Sequence, residues 1–401
     1  MLRFAGMITR CVVVVLLVVP LLAMADKEPS LPNSETARPI VQALPHIGAE
    51  VWQSRGRIVR REPFTPPLRD PESVIGRAWR AVYTSVSGID GERREVSGAF
   101  FLPRGTAPAD GWPVISLAHG TTGIGTNCGP AQHPELLGYS PVVTSFLERG
   151  YAVALSDYEG LGPAGSHPYL EPRTAAFNVI DAVRALREMS PTVSTRWVAL
   201  GYSQGGQAVW AANEFNSFYG AGLELLGSVA LAPAANVTGT ADVAWSGSMT
   251  EEGWTLYPLL ITGLSRYTGL QAQSFLRGSA AEQSAGLNSC KVDRTRRTST
   301  PKKPVPAAVP WRSVVNRISQ SRAMHPATLE DVSALRDVLR TVALPQRPLG
   351  TPMLVIAGLD DALVLSSWVA EAVSESCALG GRIEYLEVPD ADHQNLSLIH
   401  I

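Results

Sequence analysis

The sequence predicts an α/β fold: a mostly parallel central sheet with an inserted helical cap or lid. Three observations carry this reading. Short apolar runs alternate with segments of helical period, which is the rhythm of strands joined by covering helices. Three of the runs end at His119-Gly120, Ser156-Asp157 and Gly201, and in open sheets of this kind chemistry sits beyond the carboxyl ends of the strands. The rhythm then stops between about 235 and 349, far longer than a strand-to-helix loop, and resumes afterwards. The chain has 401 residues, 45% hydrophobic and 17% charged. That excludes a disordered or collagen-like polymer. With 34 basic and 36 acidic side chains the formal charge is −2, which gives no reason to expect a nucleic-acid partner. Four cysteines are too few for a disulfide scaffold.

The elements follow in order. Arg3 and Arg10, an apolar run from Cys11 to Ala23, and Ala23-Met24-Ala25 before Asp26 form the pattern of a secretory signal peptide over 1–25. Residues 26–78 are rich in proline and polar side chains and are expected to form an extended arm. The first core part, 79–234, opens with two strands from Trp79 to Leu102 around Asp90-Gly91, a hairpin signal. Buried strands are expected at 114–118, 151–155, 197–200 and 226–231, and after the cap at 353–357 and 382–388. Phe177, Ile180, Val183 and Leu186 recur at helical spacing, with Asp181, Arg184 and Arg187 expected on the outward face. The cap, 235–349, begins aromatic and aliphatic (Trp245, Trp254, Tyr257) and passes into a basic, proline-rich run from Lys291, read as a solvated loop. The second core part is 350–401.

Gly201-Tyr202-Ser203-Gln204-Gly205 fits G-x-S-x-G between a buried strand and a helical segment. A serine on so sharp a turn needs small neighbours so that backbone segments can approach, and this makes Ser203 the candidate nucleophile. A hydroxyl needs a base, and the base needs a carboxylate to orient it. In α/β-hydrolases these follow in the order Ser, acid, His. The strand 353–357 leads into Gly358-Leu359-Asp360-Asp361, and the strand 382–388 into Pro389-Asp390-Ala391-Asp392-His393. His393 is the candidate base and Asp361 the candidate acid, with Asp360 as its alternative; Asp390 and Asp392 are read as turn caps. The oxyanion hole would pair the backbone N–H of Gln204 with that of Thr121, or of its neighbour Thr122, in the loop after 114–118. Gly160-Leu161-Gly162-Pro163-Ala164-Gly165 matches a dinucleotide fingerprint, but prolines crowd the place where its helix must open. No cluster has zinc-ligand spacing. Asn236-Val237-Thr238 is a glycosylation sequon.

Ala118-His119-Gly120-Thr121-Thr122-Gly123, Cys128, Asp157-Tyr158-Glu159-Gly160-Leu161-Gly162, His167-Pro168-Tyr169-Leu170 and Gly201-Tyr202-Ser203-Gln204-Gly205-Gly206 occur in that order. Over roughly Trp79 to His393 the chain thereby resembles the secretory lipase family of α/β-hydrolases, which includes the yeast lipase A type and actinobacterial secreted lipases. Tyr202 and Gln207 depart from it, standing where histidines are frequent in bacterial members. The resemblance implies a secreted serine hydrolase of carboxylic esters, a triacylglycerol lipase or esterase working through an acyl-enzyme. No cofactor or metal is expected; the expected partners are an ester or lipid substrate and, transiently, a lipid interface, and the expected state is a monomer. Two other readings stay open: a secreted serine peptidase or acyltransferase on the same fold, and a secreted binding protein without activity. Cys128 is expected to pair with Cys290, tying the oxyanion-side loop to the cap. Only eight residues follow His393, and Leu396–Ile401 fits no family pattern. The expectation is therefore that the second core part is truncated and that Cys377 has lost a partner with the missing tail.

Overall fold

The computed structural model describes residues 35–66, 74–162, 164–288, 290 and 322–396. The segment 1–25 expected to be a signal peptide, the basic run from Lys291 to Lys303 and residues 397–401 lie outside them.

The described strands form one sheet in the spatial order β1-β2-β3-β5-β4-β6-β7-β8-β9. β1 (Ile58–Pro63), β2 (Ile75–Val86) and β3 (Arg93–Pro103) are antiparallel neighbours, and β3 meets β5 (Ala152–Ser156) antiparallel. From β5 the sheet runs parallel through β4 (Trp112–Ala118), β6 (Val193–Tyr202), β7 (Glu224–Leu231), β8 (Met353–Gly358) and β9 (Ile383–Val388). This is an α/β-hydrolase fold. The expected hairpin is β2–β3, whose turn closes through Ser87 N–H on the Glu92 carbonyl and Gly91 N–H on the Ser87 carbonyl.

Two sequence expectations need correction. The arm is extended only in part: after a short helix α1 (Ala49–Gln53), β1 joins the sheet as an edge strand. Its Arg60, Arg61 and Glu62 are exposed, so no alternation betrayed it, and charge with a closing proline is what a sheet edge tolerates. Asp181 does not face outward. It lies on α3 (Pro172–Met189), which is wedged between the sheet and α4 (Gln204–Tyr219), and it is fully buried. Ser85 and Tyr219 donate to its carboxylate at 2.8 and 2.6 Å, and Arg184 pairs with it at 3.1 Å. Those partners make the burial tolerable, although burial still raises its pKa. Phe177, Ile180, Val183 and Leu186 are all buried as the spacing requires.

Helix α2 (Ser140–Glu148) covers the opposite face of the sheet, packing Val142, Val143 and Leu147 against Ile115, Leu117, Val153 and Leu155. Beside it runs an apolar furrow lined by Phe146, Val198, Val229, Leu354 and Ile356.

Between β7 and β8 the described elements are helical: α5 (Thr240–Ser246), α6 (Glu251–Thr268), α7 (Ser279–Ser284) and α8 (Leu329–Val342). All fall within the stretch expected to be a cap. α8 opens with a capping box between Thr328 and Asp331 and buries Val332, Leu335, Leu339 and Val342. Three ties hold this region to the core. Cys128 and Cys290 form a disulfide. Tyr267 donates to the Tyr169 carbonyl at 2.8 Å. The arm crosses the cap base, where Asn236 Nδ2 donates to the Ala37 carbonyl at 3.0 Å and the Ala37 N–H donates to Thr238 Oγ1 at 2.7 Å. Asn236 is thus buried and bonded, so in the folded chain the sequon is closed to a glycan.

Candidate active site

Parallel register places the site. Ala118 at the end of β4 pairs with Gly201 of β6 on one side and Ser156 of β5 on the other, and Gly201 pairs with Ala230 of β7. The loops leaving these strands therefore emerge at one level, beyond the carboxyl ends, where an open sheet has its crevice.

Ser203 sits on the turn between β6 and α4 with φ +57° and ψ −117°. This region is sparsely populated for a residue with a Cβ, and holding it costs about 1–3 kcal/mol. The strain is held by its surroundings: Ser203 N–H donates to the Leu231 carbonyl at 2.9 Å, and its own carbonyl accepts from Ala234 N–H at 3.1 Å. Glycine on either side is a packing requirement. A Cβ on Gly201 would strike the Gly205 carbonyl, and one on Gly205 would strike the Ala118 carbonyl oxygen. Gly205→Ala is accordingly expected to destabilise the fold by about 2 kcal/mol or more, read as a lower midpoint in urea. An unchanged midpoint would mean that α4 can retreat from β4 without loss.

The structure brings Ser203, His393 and Asp361 into one line. His393 Nε2 lies 3.0 Å from Ser203 Oγ, and His393 Nδ1 lies 2.7 Å from Asp361 Oδ2. All three are buried. The other Asp361 oxygen accepts the N–H groups of Leu363 and Val364 at 3.0 and 2.8 Å, which fixes the carboxylate plane. Asp360, the alternative acid, is exposed on the far side of the same turn. Asp392 Oδ1 accepts from Gln394 N–H and Asn395 N–H at 2.9 and 2.7 Å, so it does cap the turn carrying His393. Asp390 supplies the turn's left-handed residue, φ +57°. Tyr202 donates its hydroxyl to the His393 carbonyl and lays its ring 5.1 Å from the imidazole. Gln207, the other departure from the family pattern, donates to the carbonyls of Leu170 and Val342 and so ties α4 to the end of α8.

Gln204 is the first residue of α4, so its N–H is among the helix's unclaimed first-turn donors. Thr121 borders the same cavity as Ser203, and its hydroxyl meets the Tyr169 hydroxyl at 2.8 Å. Thr122 is buried beside it. The loop holding both threonines is shaped from below: His119 Nδ1–H donates to the Gly120 carbonyl at 2.7 Å, and Gly120 N–H donates to the Tyr139 hydroxyl at 2.6 Å. Burial pushes the His119 pKa down, which suits a structural imidazole.

Ser203 opens on an apolar cavity of about 720 Å³, counting the space open to solvent, between the core and α5–α6. Leu170, Val237, Leu256, Leu260, Val364 and Trp368 are among its walls. Walls of this kind are those of sites that hold apolar groups. The sequence did not single out His167 or Tyr169 as individuals. Each acts through partners distant in the chain, and local spacing carries no trace of that.

The secretory lipase family model matches residues 139–266, from α2 through Ser203 to the end of α6. A lipase A from Moesziomyces aphidis is 26% identical over 269 residues, which is 63% of this chain and 53% of that protein; the chain thus spans about half the length of this relative. Among solved structures, the rice cell wall degrading esterase LipA of Xanthomonas oryzae superposes with a TM-score of 0.68 at 21% identity, covering 86% of this chain and 94% of that one. Lipase A of Candida antarctica gives 0.62 at 15% identity, covering 86% and 79%. At these identities the structures speak to the fold.

Proposed function

We propose that this chain, a member of the secretory lipase family, is a serine hydrolase of carboxylic esters that forms an acyl-enzyme on Ser203. The observation that carries the reading is the hydrogen-bonded line from Ser203 Oγ through His393 to Asp361, opening on an apolar cavity.

In this mechanism Ser203 Oγ attacks the ester carbonyl carbon while His393 Nε2 takes its proton. Asp361 holds the imidazole with Nδ1 protonated and stabilises the imidazolium that forms. The carbonyl oxygen, now an anion, is held by the N–H groups of Gln204 and Thr121, with the α4 dipole behind them. The tetrahedral adduct collapses, His393 passes its proton to the leaving alkoxide, and the alcohol departs. Water then attacks the acyl-enzyme with His393 again as base, and the carboxylic acid leaves. The apolar walls favour the acyl chain of a lipid or simple ester, and water excluded by them strengthens every electrostatic contact at the carbonyl. Secretion fits the leader at 1–25, and transient contact with a lipid interface fits a cavity roofed by α5 and α6.

A fluorophosphonate probe is expected to label the protein at Ser203 in one-to-one stoichiometry. A series of p-nitrophenyl esters from short to long acyl chains is expected to be turned over, with the best chain length set by the cavity. Cleavage of peptides in place of esters, or transfer to an alcohol acceptor in place of hydrolysis, would assign the same serine to a peptidase or an acyltransferase. A protein that neither labels nor turns over any of these substrates would be a binding protein.

A further inference from the structure

Beside the serine lies a buried histidine that this mechanism does not use. His167 sits in the connection between β5 and α3, and its ring contacts both sides of the pocket that would hold the oxyanion. On one side its Nε2 is 2.8 Å from Gln204 Nε2. On the other its ring meets the edge of Tyr169 at 6.0 Å, and the Tyr169 hydroxyl is 2.8 Å from Thr121 Oγ1. Its remaining nitrogen, Nδ1, is 2.7 Å from the Glu159 carbonyl oxygen. A carbonyl can only accept, so Nδ1 carries the proton and Nε2 is left as an acceptor for the Gln204 amide. Burial pushes the His167 pKa down to about 3, so that acceptor stays available at ordinary pH.

The orientation of Gln204 depends on this bond. Its Oε1 is buried with no hydrogen-bond partner among the described residues. The side chain is thus held at one end by His167 and at the other by the first turn of α4, and the backbone N–H beside Ser203 lies between these two holds. The backbone of Tyr169 is tied to the cap and to His167: its carbonyl accepts from Tyr267 of α6, and its N–H donates to the His167 carbonyl at 3.0 Å. The segment 167–169 therefore touches the two residues whose N–H groups are assigned to the oxyanion, and it is itself fastened to the cap.

We infer that His167 is a positioning residue for the oxyanion pocket, fixing Gln204 through its Nε2 and the Thr121 loop through Tyr169. The inference rests on the ester-hydrolase reading. It assigns to His167 no proton transfer and no contact with substrate; what it supplies is the placement of two donors before charge develops on the carbonyl oxygen. Placement of that kind acts on the transition state more than on the bound substrate.

The test compares His167→Leu, His167→Gln, Tyr169→Phe and Gln204→Met with the full wild-type chain on a p-nitrophenyl ester, with an alkyl boronic acid as the transition-state analogue. A missing oxyanion donor lowers kcat by about 10²–10³-fold, and a displaced one is expected to cost less. His167→Leu should lower kcat by about 10–100-fold with KM within about twofold, and boronate affinity should fall by the same factor as kcat. His167→Gln offers an amide oxygen near the Nε2 position and should recover most of the loss. Gln204→Met keeps the backbone N–H but loses the handle; it should resemble His167→Leu, and the double variant should be no worse than either. Tyr169→Phe should show a smaller kcat loss of the same type. If His167→Leu does not fold, the comparison of Gln204→Met and Tyr169→Phe with His167→Gln carries the test. Wild-type kcat in Gln204→Met, a loss confined to KM, or a His167→Gln as impaired as His167→Leu would each overturn the inference. A wild-type chain that neither labels with fluorophosphonate nor hydrolyses esters would overturn the reading beneath it instead.

Discussion

Ser203→Ala is expected to lower kcat on p-nitrophenyl esters by about a million-fold, the scale seen when the nucleophile of a serine triad is removed. The change deletes one atom, Oγ, and keeps the Cβ that the strained turn already accommodates at φ +57°. The bonds that hold the turn, from Ser203 N–H to Leu231 and from Ala234 to the Ser203 carbonyl, involve backbone alone. Stability should therefore stay close to wild type, and a thermal melt with an unshifted midpoint separates lost chemistry from lost folding. The residual rate should still exceed the uncatalysed one, because the N–H groups proposed to hold the oxyanion, those of Gln204 and Thr121, and the cavity remain. Adding His393→Ala to Ser203→Ala should cost nothing further, since the base has no proton left to take. Fluorophosphonate labelling should vanish in both. A Ser203→Ala protein with normal turnover would remove Ser203 from the mechanism altogether.

The sequence made the central strands legible because both of their faces are buried, so Val114–Ala118 and Ala152–Leu155 read as continuous apolar runs. It hid β1, which lies at the edge with Arg60 and Arg61 in solvent, where neither hydrophobicity nor alternation is required. Helical periodicity found the buried face of α3 correctly but sent Asp181 outward, because a period reports one covering surface and α3 has two, the sheet and α4. Ser203, Asp361 and His393, which the structure brings together, could be singled out as candidates because each follows a strand end, and strand ends are visible in sequence. The choice between Asp360 and Asp361 was not equally visible. Both fit the spacing, and only the turn through Leu363 and Val364, whose N–H groups grip one oxygen of Asp361, decides which carboxylate turns inward. His167 was beyond reach for a further reason. Its partners, Glu159, Tyr169 and Gln204, include one 37 residues away, and a histidine among prolines carries no periodic signal.

That same turn makes Asp361→Asn the sharpest probe of the base, with an expected loss in kcat of about ten thousand-fold. Asparagine has almost the same shape, so the question is which of its two ends meets His393. The N–H groups of Leu363 and Val364 stand 3.0 and 2.8 Å from Asp361 Oδ1 and need an acceptor. The amide oxygen must remain there, since the reverse orientation would set the NH₂ against two backbone donors. The NH₂ then faces His393 Nδ1, 2.7 Å away, and donates to it. Nδ1 can accept only if it has no proton, which moves the ring proton to Nε2 and points it at Ser203 Oγ. The imidazole, though still in place, has become a donor where a base is needed. Geometry, KM and thermal midpoint should change little while kcat collapses. Asp360→Asn is the matched control: that carboxylate is exposed and should give turnover within about twofold of wild type, as surface substitutions do. A silent Asp361→Asn with a crippled Asp360→Asn would exchange the two roles and require the 359–364 turn to rearrange when substrate binds.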